Sequence, residues 1–172
     1  TRRSSDLIPL ISPDEQFLAN PVQRDYYARK IASLKKSALL LAISERARLE
    51  ALTSLNFSQD QVVTVSGAFD GTFTRRAVSE PERLALYAKL GITRPFVFYT
   101  GGADDRKNLH RLIQAYAAMT QGVRDTHQLV LAGKMPPGHV QAFKDTAQKF
   151  GLREDELLIP GYIEDGDLLK LY

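Results

Sequence analysis

The sequence predicts an α/β fold in which two pieces, each with a parallel sheet, are joined by a linker. Short apolar segments alternate along the chain with helical patterns of about 10 to 15 residues, which is the order of elements that parallel sheets need. Two of these segments, Ala38–Ile43 and Gln128–Gly133, are largely apolar throughout, as expected for strands buried on both faces. Loop signals are densest at residues 67–77, so we expect the boundary between the pieces there.

In the first piece, the spacing of apolar residues predicts a helix over residues 21–37. The strand Ala38–Ile43 follows, and Ser44 is a favourable N-cap for a helix that continues to about Leu55. A second strand is predicted at residues 62–65, directly before the glycine-rich segment that leads to the linker.

The second piece begins with the capping-box pattern Ser79-Glu80-Pro81-Glu82, which predicts a helix that ends at Gly91. A strand at residues 96–99 precedes a glycine loop. Apolar residues at helical spacing then predict a helix from about Asn108 to Thr120.

After the strand Gln128–Gly133, prolines at 136 and 137 predict the start of a helix that stops at Gly151 and packs Phe143 and Phe150. A short strand at residues 157–159 and a final helix complete the second piece.

The composition limits the chemistry of the chain. Its 172 residues are 44% hydrophobic and 25% charged, as in ordinary globular domains, and no apolar run approaches the roughly 20 residues that span a bilayer. There is no cysteine, which excludes disulfides and thiolate ligands. The three histidines lack metal-ligand spacing, so we expect no metal site.

The charge of the chain does not favour nucleic-acid binding. The net charge of +3 is small for a protein that binds phosphate backbones, so we expect no nucleic-acid partner. Five basic residues of the first helix could instead attract an acidic membrane surface, although a solvated helix face is the simpler explanation for them. They are Arg24, Arg29, Lys30, Lys35 and Lys36.

The segment Pro95–Asn108, PFVFYTGGADDRKN, is the strongest candidate for a functional site. An apolar strand leads into Gly101 and Gly102, and the loop then brings Arg106 and Lys107 to the start of a helix. Glycines let the backbone approach a ligand, and the first turn of a helix favours negative charge. The pattern predicts an anion site, most simply for the diphosphate of a nucleotide.

Two common phosphate motifs are excluded at this loop. GxxxxGK[ST] fails because Arg106 precedes Lys107 and Asn108 follows it, and GxGxxG fails at Ala103. An anion is the simplest reason for a cation at the start of a helix, where the dipole disfavours it. The two aspartates that precede Arg106 also have a structural explanation as helix caps.

Six stretches of the chain, in this order, resemble the retaining glycosyltransferases of the GT-B fold that belong to family 4, often called group 1. They are DLIPLISP (6–13), LLLAISERAR (39–48), VVTVSGAFDGTF (62–73), FVFYTGGADDRKNLHRLIQAY (96–116), LVLAGK (129–134) and IPGYIEDGDLLKLY (159–172).

This resemblance implies an α/β fold with parts of two Rossmann-like parallel-sheet domains of the GT-B type, joined by a linker. Residues 1–66 would be the C-terminal part of the acceptor-side domain, and residues 67–77 the linker. Residues 78–172 would be the first half of the nucleotide-sugar-binding domain.

The resemblance also implies site residues. Four residues of the loop would bind the donor diphosphate: Gly101, Gly102, Arg106 and Lys107. Four more would lie near the nucleotide: Gly133, Lys134, Tyr162 and Ile163. For Tyr162, aromatic packing at a strand end is an equally good explanation.

The activity that the resemblance implies is metal-independent, retaining transfer of a hexose such as mannose or glucose in polysaccharide biosynthesis. The donor would be a nucleotide-sugar such as GDP-mannose or a UDP-hexose, the acceptor a glycan or a lipid-linked glycan, and no further cofactor would be needed. The expected location is the cytoplasm, with peripheral contact at the inner face of the membrane.

The chain departs from the family pattern at two positions. Many relatives place histidine before the aspartate of the DLIP stretch, whereas this chain has Ser5, so no catalytic side chain is assigned. Many carry arginine after the first loop glycine, whereas this chain has Gly102, so we expect Arg106 to take that role.

The family's two glutamates spaced seven residues apart would follow Tyr172, and the early strands of the acceptor-side domain would precede Thr1. We therefore expect a segment of a longer enzyme, whose open sheet edges favour association. The alternative is a non-catalytic glycosyltransferase-like α/β binding module.

Overall fold

The structure, a computed structural model, describes residues 20–74 and 77–172, and the chain divides into two compact units. Unit 1 extends to Gly71 and unit 2 begins at Thr72. The DLIPLISP stretch and Ser5 lie outside the described residues. None of the described helices is both long and apolar enough to cross a membrane.

The described part of unit 1 contains two helices, a 3-10 turn and two strands. Their bounds are α1 Pro21–Leu34, β1 Leu40–Ala42, α2 Glu45–Leu55, the 3-10 turn Gln59–Gln61 and β2 Val62–Thr64. The strands pair in parallel, with Leu41 opposite Val63. Ser44 caps α2 as predicted, since its hydroxyl accepts a hydrogen bond of 3.1 Å from the Ala47 N–H.

The core of unit 1 lies on one face of this strand pair. Ala42 and Val62 are buried there with Ala51, Leu55 and Phe57, and α1 packs Ile31 and Leu34 against the same cluster.

The opposite face of the pair is apolar but about half exposed, between 41% and 52%. We call it the exposed face of unit 1, and it consists of Leu39, Leu41, Ile43, Val63 and Val65. The prediction that Ala38–Ile43 is buried on both faces is therefore wrong in the described part of the chain. The reason is that α1 and α2 both pack on the other side.

Unit 2 contains a three-stranded parallel sheet in the order β3-β4-β5, with helices between the strands. The bounds are α3 Glu80–Leu90, β3 Phe96–Thr100, the 3-10 turn Asp105–Lys107, α4 Leu109–Ala117, α5 Gln121–Thr126, β4 Gln128–Ala132, α6 Pro137–Lys149, β5 Leu157–Gly161 and α7 Asp165–Leu171.

The central strand β4 is buried along its whole length, as its apolar sequence predicts. Helices α4 and α6 pack together over one face of the sheet, where Ile113, Leu129, Leu131 and Phe143 are almost completely buried. This rigid layer fixes the position of the loops that follow each strand.

The start of the sheet is held by buried polar side chains. The Gln128 side chain accepts hydrogen bonds from the Thr93 and Arg94 N–H groups and donates one to the Asp155 carbonyl. Glu156, which is fully buried, accepts from the Arg124 guanidinium and from the Arg153 N–H. These bonds tie together the amino ends of the three strands.

Most helix ends in unit 2 are as predicted, with two exceptions. The helix predicted from Asn108 to Thr120 already ends at Ala117, and a separate helix, α5, which the sequence did not predict, begins at Gln121 after the extended residue Thr120. Phe150 is 40% exposed rather than packed, because α6 ends at Lys149 and Leu152 takes the position against the core.

Candidate functional site

The three parallel strands of unit 2 end at the same edge of the sheet, and a glycine stands at the end of each. Gly101 follows β3, Gly133 follows β4, and Gly161 is the last residue of β5. The Gly101 N–H donates to the Ala132 carbonyl at 2.9 Å, and the Gly133 N–H donates to the Gly161 carbonyl at 2.8 Å. The predicted residues Gly101 and Gly133 therefore lie together at this edge, where parallel α/β sheets bind ligands.

The close packing at this edge requires glycine at position 133. Its φ angle is +142°, and a Cβ atom there would lie 1.8 Å from the Gly101 carbonyl oxygen. The contact is with backbone, which cannot move aside without changing the loop. Gly133 is thus needed for the approach of the two loops, whatever ligand binds there.

Tyr99 holds the glycine loop on its other side. Its ring packs against the core between the sheet and α4, and its hydroxyl donates to the Gly102 carbonyl at 2.9 Å. Burial, together with the negative charge of Asp104, raises the pKa of the Tyr99 hydroxyl above its ordinary value. The hydroxyl is therefore a stable donor at neutral pH.

Arg106 and Lys107 lie in the 3-10 turn Asp105–Lys107, one turn before α4 rather than in its first turn. The Asp104 carboxylate caps this turn by accepting from the Arg106 N–H at 3.0 Å. Asn108 follows with a φ angle of +51° and separates the turn from α4. The predicted capping role of the first aspartate is confirmed, but for the 3-10 turn.

Asp104 also pairs with the Arg106 guanidinium, whose Nε lies 2.8 Å from Oδ1. This hydrogen bond is the main reason why the pKa of the Asp104 carboxyl falls to about 2. Lys107 is exposed and forms no ion pair within the described parts of the chain. Of the two cations, Lys107 has the ammonium group that an incoming anion can meet without displacing a carboxylate.

The remaining predicted residues follow the second and third strands. Lys134 is exposed directly after Gly133, and Tyr162 is 69% exposed directly after Gly161. Ile163 is buried, so its side chain packs in the interior and only its backbone is available to contact a ligand. The exposure of Tyr162 removes the packing explanation for this ring and leaves its face open.

No metal site is evident at this edge. Asp165 and Asp167, with one residue between them, lie in the first turn of α7. Asp167, however, forms ion pairs with Lys89 at 2.7 Å and with Lys170 at 3.7 Å. Within residues 20–74 and 77–172, no group of three or more His, Asp or Glu side chains could hold a metal ion.

Sequence patterns did not identify Tyr99 as part of the site. Because Tyr99 lies in an apolar strand, its sequence context indicates only a core residue. The hydrogen bond to the Gly102 carbonyl shows that it also contacts the glycine loop. The one available signal was its place two residues before the first loop glycine.

No protein-family model matches the chain. Among curated proteins, the chain is similar to the serotype-specific mannosyltransferase WbdA of Escherichia coli, at 29% identity over 167 residues, which are 97% of this chain and 20% of that protein. It is also 28% identical to the O-antigen chain mannosyltransferase B of Escherichia coli, over 89% of this chain and 40% of that protein. The chain thus spans about a fifth of the length of WbdA.

Two solved structures have the same fold. WaaG, a glycosyltransferase involved in lipopolysaccharide biosynthesis, matches 94% of this chain and 44% of its own with a TM-score of 0.70 at 18% identity. Anabaena Alr3699/HepE, solved in complex with UDP and glucose, matches 85% of this chain and 39% of its own with a TM-score of 0.66 at 19% identity. The predicted α/β class with parallel sheets and the resemblance to the GT-B glycosyltransferases are confirmed, and the similarity covers nearly the whole chain.

Proposed function

We propose that this chain is part of a hexosyltransferase, and that the carboxyl edge of its β3-β4-β5 sheet binds the diphosphate of a nucleotide-sugar donor. The observation that carries the proposal is the close approach of Gly101 and Gly133 at an edge whose first loop continues to Lys107, an exposed cation with no ion pair among residues 20–74 and 77–172. Glycines allow the close approach of a phosphate, and a lysine supplies a point charge for it. The likeness to mannosyltransferases and to a structure that holds UDP and glucose supports the choice of ligand.

Each residue has a role in this proposal. Gly101 and Gly102 shape the loop, and Lys107 binds the diphosphate, with Arg106 joining it when the ligand draws the guanidinium away from Asp104. As the sugar–phosphate bond breaks, negative charge develops on the leaving diphosphate. A cation fixed at that point stabilises the transition state, so the proposed transfer needs no metal ion.

The rest of the site would bind the nucleotide. Lys134 and the exposed ring of Tyr162 follow the next two strands, where a nucleoside in line with the diphosphate would lie. From the resemblance we further propose a retaining reaction, GDP-mannose or a UDP-hexose as donor, and a glycan or lipid-linked glycan as acceptor. The exposed basic residues of α1 suit peripheral contact at the inner face of a membrane.

Calorimetric titration of the protein with UDP and GDP tests this proposal. We expect Lys107→Ala to weaken the preferred nucleotide about tenfold or more, because a charge-assisted contact is lost. Lys149→Ala is the matched control, since this exposed lysine is the last residue of α6, from which the chain runs to the amino end of β5 rather than to the carboxyl edge. Equal affinities of the wild type and Lys107→Ala would contradict the assigned role.

The second candidate, a non-catalytic binding module, is favoured by the lack of an assigned catalytic side chain. Incubation with GDP-mannose and UDP-glucose separates the two functions. Release of free nucleotide in the presence of a glycan acceptor supports the transferase, and binding without turnover supports the module.

A further inference from the structure

We propose that Tyr99 is a positioning residue of the nucleotide site, whose hydroxyl sets the orientation of the Gly102–Ala103 peptide through its hydrogen bond to the Gly102 carbonyl. This inference rests on the proposed function, because it concerns the same loop. The sequence patterns indicated only core packing for Tyr99, which lies in β3.

The first step is that Tyr99 itself is fixed. Its ring packs against the core cluster that contains Leu109, Ile113 and Leu131, which are almost completely buried. A ring held in this way cannot follow a moving loop, so the hydroxyl is a fixed point to which the loop attaches. The 2.9 Å hydrogen bond joins that point to the Gly102 carbonyl oxygen.

The second step follows from peptide geometry. The described chain contains no cis peptide bonds, and in a trans peptide the N–H points away from the carbonyl of the preceding residue. When the Gly102 carbonyl is bound to Tyr99, the Ala103 N–H is therefore directed away from Tyr99. None of the hydrogen bonds among the described residues uses the Ala103 N–H, and the Ala103 side chain belongs to the core cluster, which holds the residue in place.

A backbone N–H that has no acceptor among the described residues can donate to a ligand, and a phosphate oxygen at the loop would satisfy it. Backbone contacts at Gly101 also hold the loop in place. The Gly101 N–H donates to the Ala132 carbonyl, and the lack of a side chain at Gly101 leaves the space that the Tyr99 hydroxyl occupies, since a Cβ there would lie 2.7 Å from it. The hydroxyl thus prepares a backbone donor for the diphosphate before the ligand arrives.

The test is Tyr99→Phe, which keeps the ring in the core and removes only the hydroxyl. Tyr116→Phe is the matched control, because the Tyr116 hydroxyl also donates to a carbonyl, that of His127 at 2.8 Å, but just before β4 at the opposite edge of the sheet. Titrations use UDP and GDP, and uridine and guanosine as ligands without phosphate, with the melting temperature of each variant measured in parallel.

We expect Tyr99→Phe to weaken the diphosphate roughly 2- to 10-fold and to leave the matching nucleoside unchanged. Tyr116→Phe should leave both affinities unchanged. The inference alone is overturned if the wild type binds, Lys107→Ala weakens binding, and Tyr99→Phe does not. It is also overturned if Tyr99→Phe weakens nucleoside and diphosphate equally. A wild type that binds neither diphosphate overturns the proposed function, and this inference with it.

Discussion

At the scale of single residues, Gly133 and Asp104 show how the site is built. Gly133 has a conformation and a contact that other residues cannot reproduce, since any Cβ would meet the Gly101 carbonyl. Asp104 pairs with Arg106, which is one of the two cations predicted to bind the diphosphate. The site therefore depends on a close backbone contact at Gly133. It also depends on whether Asp104 or the ligand pairs with Arg106.

We expect Gly133→Ala to lower the free energy of unfolding by about 3 kcal/mol or more, because the new methyl group meets backbone and the φ angle is unfavourable. Gly138→Ala is the control, since Gly138 lies in α6 with open space around its Cβ position. It should change stability by no more than about 1 kcal/mol, toward greater stability. Urea denaturation measures both, and similar midpoints for the two variants would contradict the close approach of the loops.

At the scale of elements, the exposed face of unit 1 is the least expected feature. Five branched aliphatic side chains lie on one side of β1 and β2 and are each about half exposed. Contiguous apolar surface of this kind favours association. The sequence predicts association through open sheet edges, and we propose this apolar face as a second surface for it.

Leu41→Lys places a charge in the middle of this face, so we expect it to reduce self-association of the chain in sedimentation velocity at increasing concentration. Leu84→Lys introduces the same charge at an exposed leucine of α3, outside the exposed face of unit 1, and should leave self-association unchanged. Identical sedimentation of both variants and the wild type would show that this face is not the cause.

The same elements show what the sequence could predict. Local chemistry determines the cap at Ser44, the start of α3 at Ser79 and Glu82, and the buried strand β4, and each was predicted. The pairing of Glu156 with Arg124 could not be predicted, because Arg124 is 32 positions away and no local pattern links the two residues.

The candidate site divides in the same way. The loop glycines and Lys107 stand out in the sequence, whereas the Arg106–Asp104 pair and the Tyr99 hydrogen bond depend on how the loop folds back on its strand.

At the scale of the whole molecule, the predicted site lies within unit 2. Its parallel strands bring to one edge three loops that are about 30 residues apart in sequence. The predicted roles of the two pieces, acceptor side and donor side, remain proposals that follow from the relatives. The site at the carboxyl edge of unit 2 is the central claim, and it does not depend on how the two units are arranged.

Hydrogen–deuterium exchange of the protein with and without a saturating nucleoside diphosphate, UDP or GDP, tests this claim most directly. We predict slower exchange in peptides that cover residues 100–108, 132–135 and 161–164, because bound phosphate and nucleoside would protect the loops after β3, β4 and β5. Protection confined to unit 1 or to the amino edge of the sheet, or no protection at saturating nucleotide, would contradict it.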